Sequence, residues 1–134
     1  MTFRIVLPWP APELNPNSRC GWRRKAEAVQ TARNVAFVLT MDTLQPFWGD
    51  ELKLDGDLQL TLVLHPPNKR RFDQDNIVAA NKAQQDSVCQ ALGIDDHAIK
   101  RTIIEWGAVI KGGEILLELL PIEDNLNGGK DETN

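Results

Sequence analysis

The feature that most constrains the fold is a nine-residue run, DLQLTLVLH at positions 57–65, in which leucine takes every second place. The leucines are Leu58, Leu60, Leu62 and Leu64, and they alternate with Gln59, Thr61, Val63 and His65. Successive side chains of a strand point to opposite faces, so the run predicts a β-strand with one covered face. Because a leucine-rich sheet face must be buried against another layer, the rest of the chain has to supply covering elements.

Two helices can provide that layer. Residues 23–41 contain no Pro or Gly and carry Val29, Ala32, Ala36 and Leu39 at helical spacing, which predicts an amphipathic helix. A second helix is predicted from about residue 75 to residue 92, with Gly93 as its stop. Asp75 would then sit at or beside the helix N-cap.

Three further strands complete the predicted order. Residues 2–7 read as a strand that Pro8 ends, and residues 99–110 and 114–122 read as two strands joined through Lys111-Gly112-Gly113. The Gly-Gly pair between apolar runs favours a hairpin. The order β-α-β-α-β-β predicts a single-domain α+β (mixed α/β) fold, in which two helices cover one mixed sheet. That domain spans residues 1–122, and the acidic residues 123–134 are predicted to be a disordered tail.

Composition narrows the class of protein. No apolar run reaches the roughly 20 residues of a membrane span, and no signal peptide is recognisable, so we expect a cytoplasmic protein with no membrane partner. Cys20 and Cys89 are too few for a disulfide framework or a cysteine zinc site. The net charge of −4 is unusual for a DNA-binding protein. Four of the acids lie in the tail, however, so residues 1–122 carry 14 basic and 15 acidic side chains.

The residues that can carry chemistry are two pairs of carboxylates, Asp73-x-Asp75 and Asp95-Asp96, about twenty residues apart. Carboxylate oxygens are the ligands that Mg²⁺ prefers, and such clusters serve metal-assisted phosphodiester hydrolysis. A site forms if the fold brings the second pair back to the first. The other interpretation of an Asp-x-Asp segment beside a helix start is a cap or a solvated loop.

Basic residues accompany these carboxylates. Lys69-Arg70-Arg71 directly precedes them, and three adjacent cations attract DNA phosphates, although they could also pair with nearby acids in a solvated loop. Lys82 falls on the same helix stripe as Asp75, where an ammonium could stabilise charge on a phosphate. Lys82 could equally pair with Asp86, four residues on.

The motifs IVLPWPAP, RRFDQDN, GIDD and KGGEILLEL, in this order over about residues 3–120, resemble the RusA family of Holliday-junction resolvases. The resemblance implies a Mg²⁺-dependent homodimer, with one or two ions per site and Mn²⁺ as a possible substitute, that nicks two opposed strands of a four-way DNA junction. Carried over, the catalytic carboxylates are Asp73, Asp75 and Asp96, with Asp95 as a further metal ligand. The family's lysine falls where this chain has Ala79, so we assign its role to Lys82, nine residues after Asp73.

The residues predicted to contact DNA are basic, apart from one asparagine. They are Lys69, Arg70, Arg71, Arg23, Arg24, Lys25, Arg19 and Asn76. His97 could be a ligand or a proton carrier, or an ordinary loop histidine. Trp9, Trp22, Trp48 and Trp106 are interpreted as core or interface residues, with Trp22 as a candidate junction contact.

Two other functions fit the same residues. One is a catalytically inactive branched-DNA-binding module with the same fold, and the other is a metal-binding accessory protein with no DNA role. The chain contains neither a P-loop nor a Gly-x-Gly-x-x-Gly segment, so no nucleotide cofactor is expected.

Overall fold

A computed structural model of the chain describes residues 2–45 and 54–122. The strands are β1 (Phe3–Pro8), β2 (Leu58–His65), β3 (Ile99–Trp106) and β4 (Glu114–Pro121), and the helices are α1 (Trp22–Leu44) and α2 (Gln74–Leu92). Short 3₁₀ turns lie at Pro12–Leu14 and Asp96–Ala98. The predicted order of elements and the mixed α/β class are therefore confirmed. The predicted tail, 123–134, and Trp48 lie outside the described residues.

The four strands form one mixed sheet in the order β1-β4-β2-β3. β4 pairs antiparallel with both β1 and β2, whereas β2 and β3 are parallel and are connected through α2. The described sheet thus has β1 and β3 at its edges and β2 inside it.

The predicted hairpin between the last two strands is wrong. β3 ends at Trp106 instead of continuing to residue 110, and β2 lies between β3 and β4. Residues 107–113 cross the end of β2, where Gly107 N–H donates to Leu64 O at 2.8 Å and Ile110 N–H donates to Pro66 O at 3.0 Å. This seven-residue connection gives the chain enough length to pass over one strand before it re-enters the sheet.

The hydrophobic core lies between one face of the sheet and the two helices. The leucines of β2 are 0–1% exposed, as their alternation predicts. The core cluster also contains Phe3, Ile5, Leu7, Ala36, Ile77, Val88, Ile115, Leu117 and Leu119. The opposite sheet face carries more polar side chains, among them the ion pair of Arg4 with Glu118 at 2.9 Å. No helix in residues 2–45 or 54–122 is long and apolar enough to cross a membrane.

Candidate metal and DNA-binding site

Asp95, Asp96 and His97 form an exposed cluster just before β3. A ligand atom from each of the three lies within 4.8 Å of the others, and in the described part of the chain this is the only such group that could hold a metal ion. Asp95 is the cap of the 3₁₀ turn, because its carboxylate accepts a hydrogen bond from the backbone N–H of His97 at 2.9 Å. That hydrogen bond, together with charge on the His97 ring, lowers the pKa of Asp95. Asp95 is therefore ionised at neutral pH and available to a cation.

Lys82 of α2 lies next to this cluster. Its Nζ is 3.0 Å from Asp86 Oδ1 and 3.9 Å from Asp96 Oδ2. The pairing with Asp86 is one of the two arrangements that the sequence allowed, and the approach to Asp96 adds a contact across chain segments. The Lys82 side chain is 53% exposed. An ammonium thus stands beside the carboxylates with room to reach a second anion.

Asp73 and Asp75 lie at the other end of α2. Asp73 is the N-cap, and its carboxylate accepts a hydrogen bond from Asn76 N–H at 3.2 Å. Asp75 is an exposed residue of the first turn. Along the helix axis it stands roughly 16 Å from Asp86, at about 1.5 Å per residue. The fold therefore does not gather Asp73 and Asp75 into one metal-sized group with Asp95 and Asp96 in the described chain.

The basic loop Lys69-Arg70-Arg71 is exposed and directly precedes this start of α2. Asn68 Oδ1 accepts a hydrogen bond from Arg70 N–H at 2.9 Å, which shapes the loop. None of the three cations forms an ion pair with another described residue. Their charge is therefore available to an external anion.

The second basic cluster, Arg23-Arg24-Lys25, occupies the first turn of α1 and is also exposed. Arg24 pairs with Glu13 at 3.6 Å, and the Arg23 guanidinium lies over the Trp22 ring at 5.4 Å from its centroid. Trp22 is 77% exposed, so it is not a core residue. The nearby Arg19 is exposed as well.

Trp9 connects the N-terminal segment to the start of α2. Its ring packs edge-to-face on Phe72, with 5.3 Å between centroids and 69° between planes. Phe72 immediately precedes the cap residue Asp73. The position of the Asp73–Asp75 segment is therefore coupled to Trp9 through an aromatic pair of the kind that stabilises protein interiors.

Comparison with known proteins identifies a relative of this chain. No family model matches the chain. An uncharacterized protein of Xylella fastidiosa (strain Temecula1 / ATCC 700964) is 33% identical over 127 residues, which cover 93% of this chain and 80% of the relative. The two proteins belong to one family. Because members of one family share a fold, we expect the relative to have the fold described above. Its name indicates no activity.

Three features of this family member were missed from the sequence. Trp106 is 45% exposed and lines a cavity together with the basic loop. Asn81 and Gln84 are a buried polar pair on α2, in which the Gln84 amide donates to Asn81 Oδ1 at 2.9 Å and to Pro8 O at 3.0 Å. Only the helical spacing of the two amides hinted that they share the inward face of α2. Burial, with added repulsion from nearby carboxylates, raises the pKa of Cys89 to about 11.

Proposed function

We propose that this protein is a divalent-cation-dependent endonuclease of the RusA type that cleaves four-way DNA junctions. One observation carries the proposal: the Lys82 ammonium approaches Asp96. Asp96 belongs to the Asp95–His97 cluster, which is the only group in the described chain that could hold a metal ion. An ammonium beside carboxylates that could hold a metal ion suits phosphodiester hydrolysis, because negative charge develops on the phosphate as the bond breaks.

The donor atoms of the cluster fit such a cation. Asp95 and Asp96 offer hard carboxylate oxygens, which suit Mg²⁺, and the His97 ring adds a nitrogen, which Mn²⁺ also accepts. Two adjacent carboxylates also concentrate negative charge at an exposed position. When bound there, the cation would supply positive charge to polarise the scissile phosphate. The RusA resemblance implies ligand roles for Asp73 and Asp75 as well; because they lie at the other end of α2, they would hold a separate ion from the one at Asp95 and Asp96.

Lys82 would act directly on the phosphate. Its ammonium has three N–H donors, and a phosphate oxygen near Asp96 would come within their reach. Asp86, at 3.0 Å, orients the ammonium. In the reaction the oxygen of a water molecule bonds to phosphorus while the bond to the 3′ oxygen breaks, which leaves a 5′-phosphate and a 3′-hydroxyl. Lys82 stabilises the charge on the phosphate oxygens in the transition state.

The proposed substrate comes from the RusA resemblance, and its symmetry and charge suit a homodimer with a basic surface. A four-way junction is nearly two-fold symmetric, so a C₂ homodimer would present two equivalent sites to two opposed strands. The clusters Lys69–Arg71 and Arg23–Lys25, with Arg19 and Asn76, would contact phosphates and thus read shape in preference to bases. We assign the activity to the cytoplasm, where the free thiols of Cys20 and Cys89 stay reduced.

A second candidate function is an inactive module that binds branched DNA. The separation of Asp73 and Asp75 from the Asp95–Asp96 pair favours it, because such a protein keeps its basic surface without an assembled site.

The experiment that tests the proposal compares a labelled four-way junction with a linear duplex of the same arm sequence, each with Mg²⁺ or with EDTA. The nuclease proposal predicts paired nicks in opposed strands of the junction, only with Mg²⁺, and an intact duplex. Tight junction binding without a cut would refute cleavage and favour the inactive module. Absence of both binding and cleavage would refute both candidates.

A further inference from the structure

A cavity opens between the basic loop and the end of β3, and its aromatic wall has no part in the proposed cleavage reaction. Its volume is about 460 Å³, within the range of small-molecule sites. One wall consists of Lys69, Arg70 and Arg71, and the other carries the indole of Trp106 and the side chain of Val109. Trp106 and Val109 are 45% and 46% exposed, so the apolar wall faces solvent.

The two walls are held in place by hydrogen bonds. Ile110 N–H donates to Pro66 O at 3.0 Å, which joins the segment after β3 to the segment before the basic loop. The ring of His65 covers Gly107 and has its Nδ1 2.9 Å from Ala108 O. A Cβ on Gly107 would lie only 2.3 Å from that ring, so the close approach requires glycine. The end of β2 and the segment after β3, which lie beneath the cavity, are therefore joined in the fold before any ligand arrives.

All the charged residues in the described lining of the cavity are basic. Its described lining contains three cations and no carboxylate, and the cations have no ion-pair partner in the described chain. The ligand is therefore expected to contain an anionic group. The exposed indole beside the cations favours a ligand that also has a flat apolar group, which can stack on the ring. A nucleotide combines a phosphate with a flat base, and proteins that bind single strands pair basic grooves with aromatic stacking platforms. A base in a duplex is already stacked on both sides and cannot use the indole in this way.

We propose that this cavity binds one unpaired nucleotide of a single-stranded nucleic acid, with the base stacked on Trp106 and the phosphate facing Lys69–Arg71. The proposal concerns binding alone and does not depend on strand cleavage. It assigns Trp106 a ligand contact, whereas the sequence had suggested a core or interface role.

The test measures anisotropy of fluorescein-labelled oligo(dT) in EDTA, so cleavage cannot contribute. Trp106→Ala is expected to raise the Kd roughly 5- to 150-fold, the usual effect of removing one stacked base contact. Trp106→Leu keeps a large apolar side chain in the strand but removes the aromatic face. We expect this variant to lose a similar share of its affinity for oligo(dT). Arg71→Gln is expected to reduce the slope of log K against log salt by about 0.7. Oligo(dU) and oligo(U), measured in parallel, differ only in the 2′-hydroxyl and identify which sugar the bound strand prefers.

The matched control is Phe37→Ala, because Phe37 is also an exposed aromatic residue but belongs to α1 and does not line the cavity. We expect this variant to bind oligo(dT) like the wild type, and both Trp106 variants to bind a blunt duplex like the wild type. Oligo(dT) binding that is absent in the wild type, or unchanged in Trp106→Leu, would overturn the proposal. An equal loss in Phe37→Ala, or an equal loss of duplex binding, would also overturn it.

Discussion

Two adjacent glycines before β4 should differ sharply in their tolerance of alanine. Gly112 and Gly113 have φ of 86° and 75°, where an L-residue costs about 1–2 kcal/mol. A Cβ on Gly112 would have no atom within 4 Å, whereas a Cβ on Gly113 would lie 2.8 Å from Trp9 Cβ and 2.9 Å from Trp9 Cγ. The two substitutions therefore share a backbone cost and differ in packing against Trp9.

The magnitude follows from these distances. Gly112→Ala is expected to lower the free energy of unfolding by about 1–2 kcal/mol. Gly113→Ala carries the same backbone cost plus an overpacking cost of about 1–3 kcal/mol, so we expect a total of about 2–5 kcal/mol. Because Trp9 packs on Phe72, movement of Trp9 should also displace the start of α2 and weaken any function of Asp73 and Asp75.

Urea unfolding followed by circular dichroism measures both variants. The midpoint should fall further for Gly113→Ala while the slope of free energy against urea stays constant. In a double-mutant cycle, Trp9→Gly should remove most of the difference between the two glycine variants, because both the Cβ and the Cγ that approach Gly113 are then gone. Equal losses in the two single variants would refute the close packing of Trp9 on Gly113.

Three further predictions concern α2. Asp73→Ala should cost about 1 kcal/mol in urea unfolding through loss of the N-cap, whereas Asp73→Asn should cost much less because asparagine caps equally well; equal costs would contradict a capping role. Lys82→Gln should change stability by less than about 0.5 kcal/mol, since its ion pairs are exposed, yet slow junction cleavage roughly a hundredfold; an unchanged rate would remove Lys82 from the chemistry. Because the folded pKa of Cys89 is raised from 9.0 to about 11, its stabilising contribution is complete below pH 9 and is lost as the pH rises through 11. In EDTA, the free energy of unfolding of the wild type should fall by about 2–3 kcal/mol over that range relative to that of Cys89→Ala. A difference between the two proteins that does not change with pH would exclude the raised pKa.

Local patterns in the sequence predicted the elements well. The alternating leucines of β2 and the Pro- and Gly-free stretch of α1 are properties of consecutive residues, and the structure confirms both elements. Gly93 ends α2 as predicted, while the N-cap is Asp73, two residues before Asp75. The element boundaries therefore shifted by only a few residues.

Strand pairing could not be predicted in the same way. The Lys111–Gly113 turn suggested a hairpin because Gly-Gly is a local turn signal. Which strand lies beside β4 depends instead on long-range burial, and the strongly apolar β2 takes the interior position between β4 and β3. The residues after Trp106 serve as a crossing segment, a role that short-range patterns do not encode.

The candidate site was predictable only in part for the same reason. Asp95 and Asp96 lie together because they are neighbours in sequence, and His97 joins them through the 3₁₀ turn. The distance from Asp75 to Asp96 depends on how the parallel β2-α2-β3 crossover returns the chain, which spacing alone does not determine. The exposure of Trp106 likewise follows from the edge position of β3.

The most direct test of the nuclease proposal is the rate of paired nicking of a four-way junction with Mg²⁺ by wild type, Asp75→Asn and Asp96→Asn. Glu118→Gln is the control, because Glu118 pairs with Arg4 on the sheet face opposite the helices. We predict that both aspartate variants bind the junction like the wild type but cleave it at least about a hundredfold more slowly, with the control unaffected. Wild-type cleavage rates in both aspartate variants, or binding without cleavage by the wild type, would contradict the proposed function.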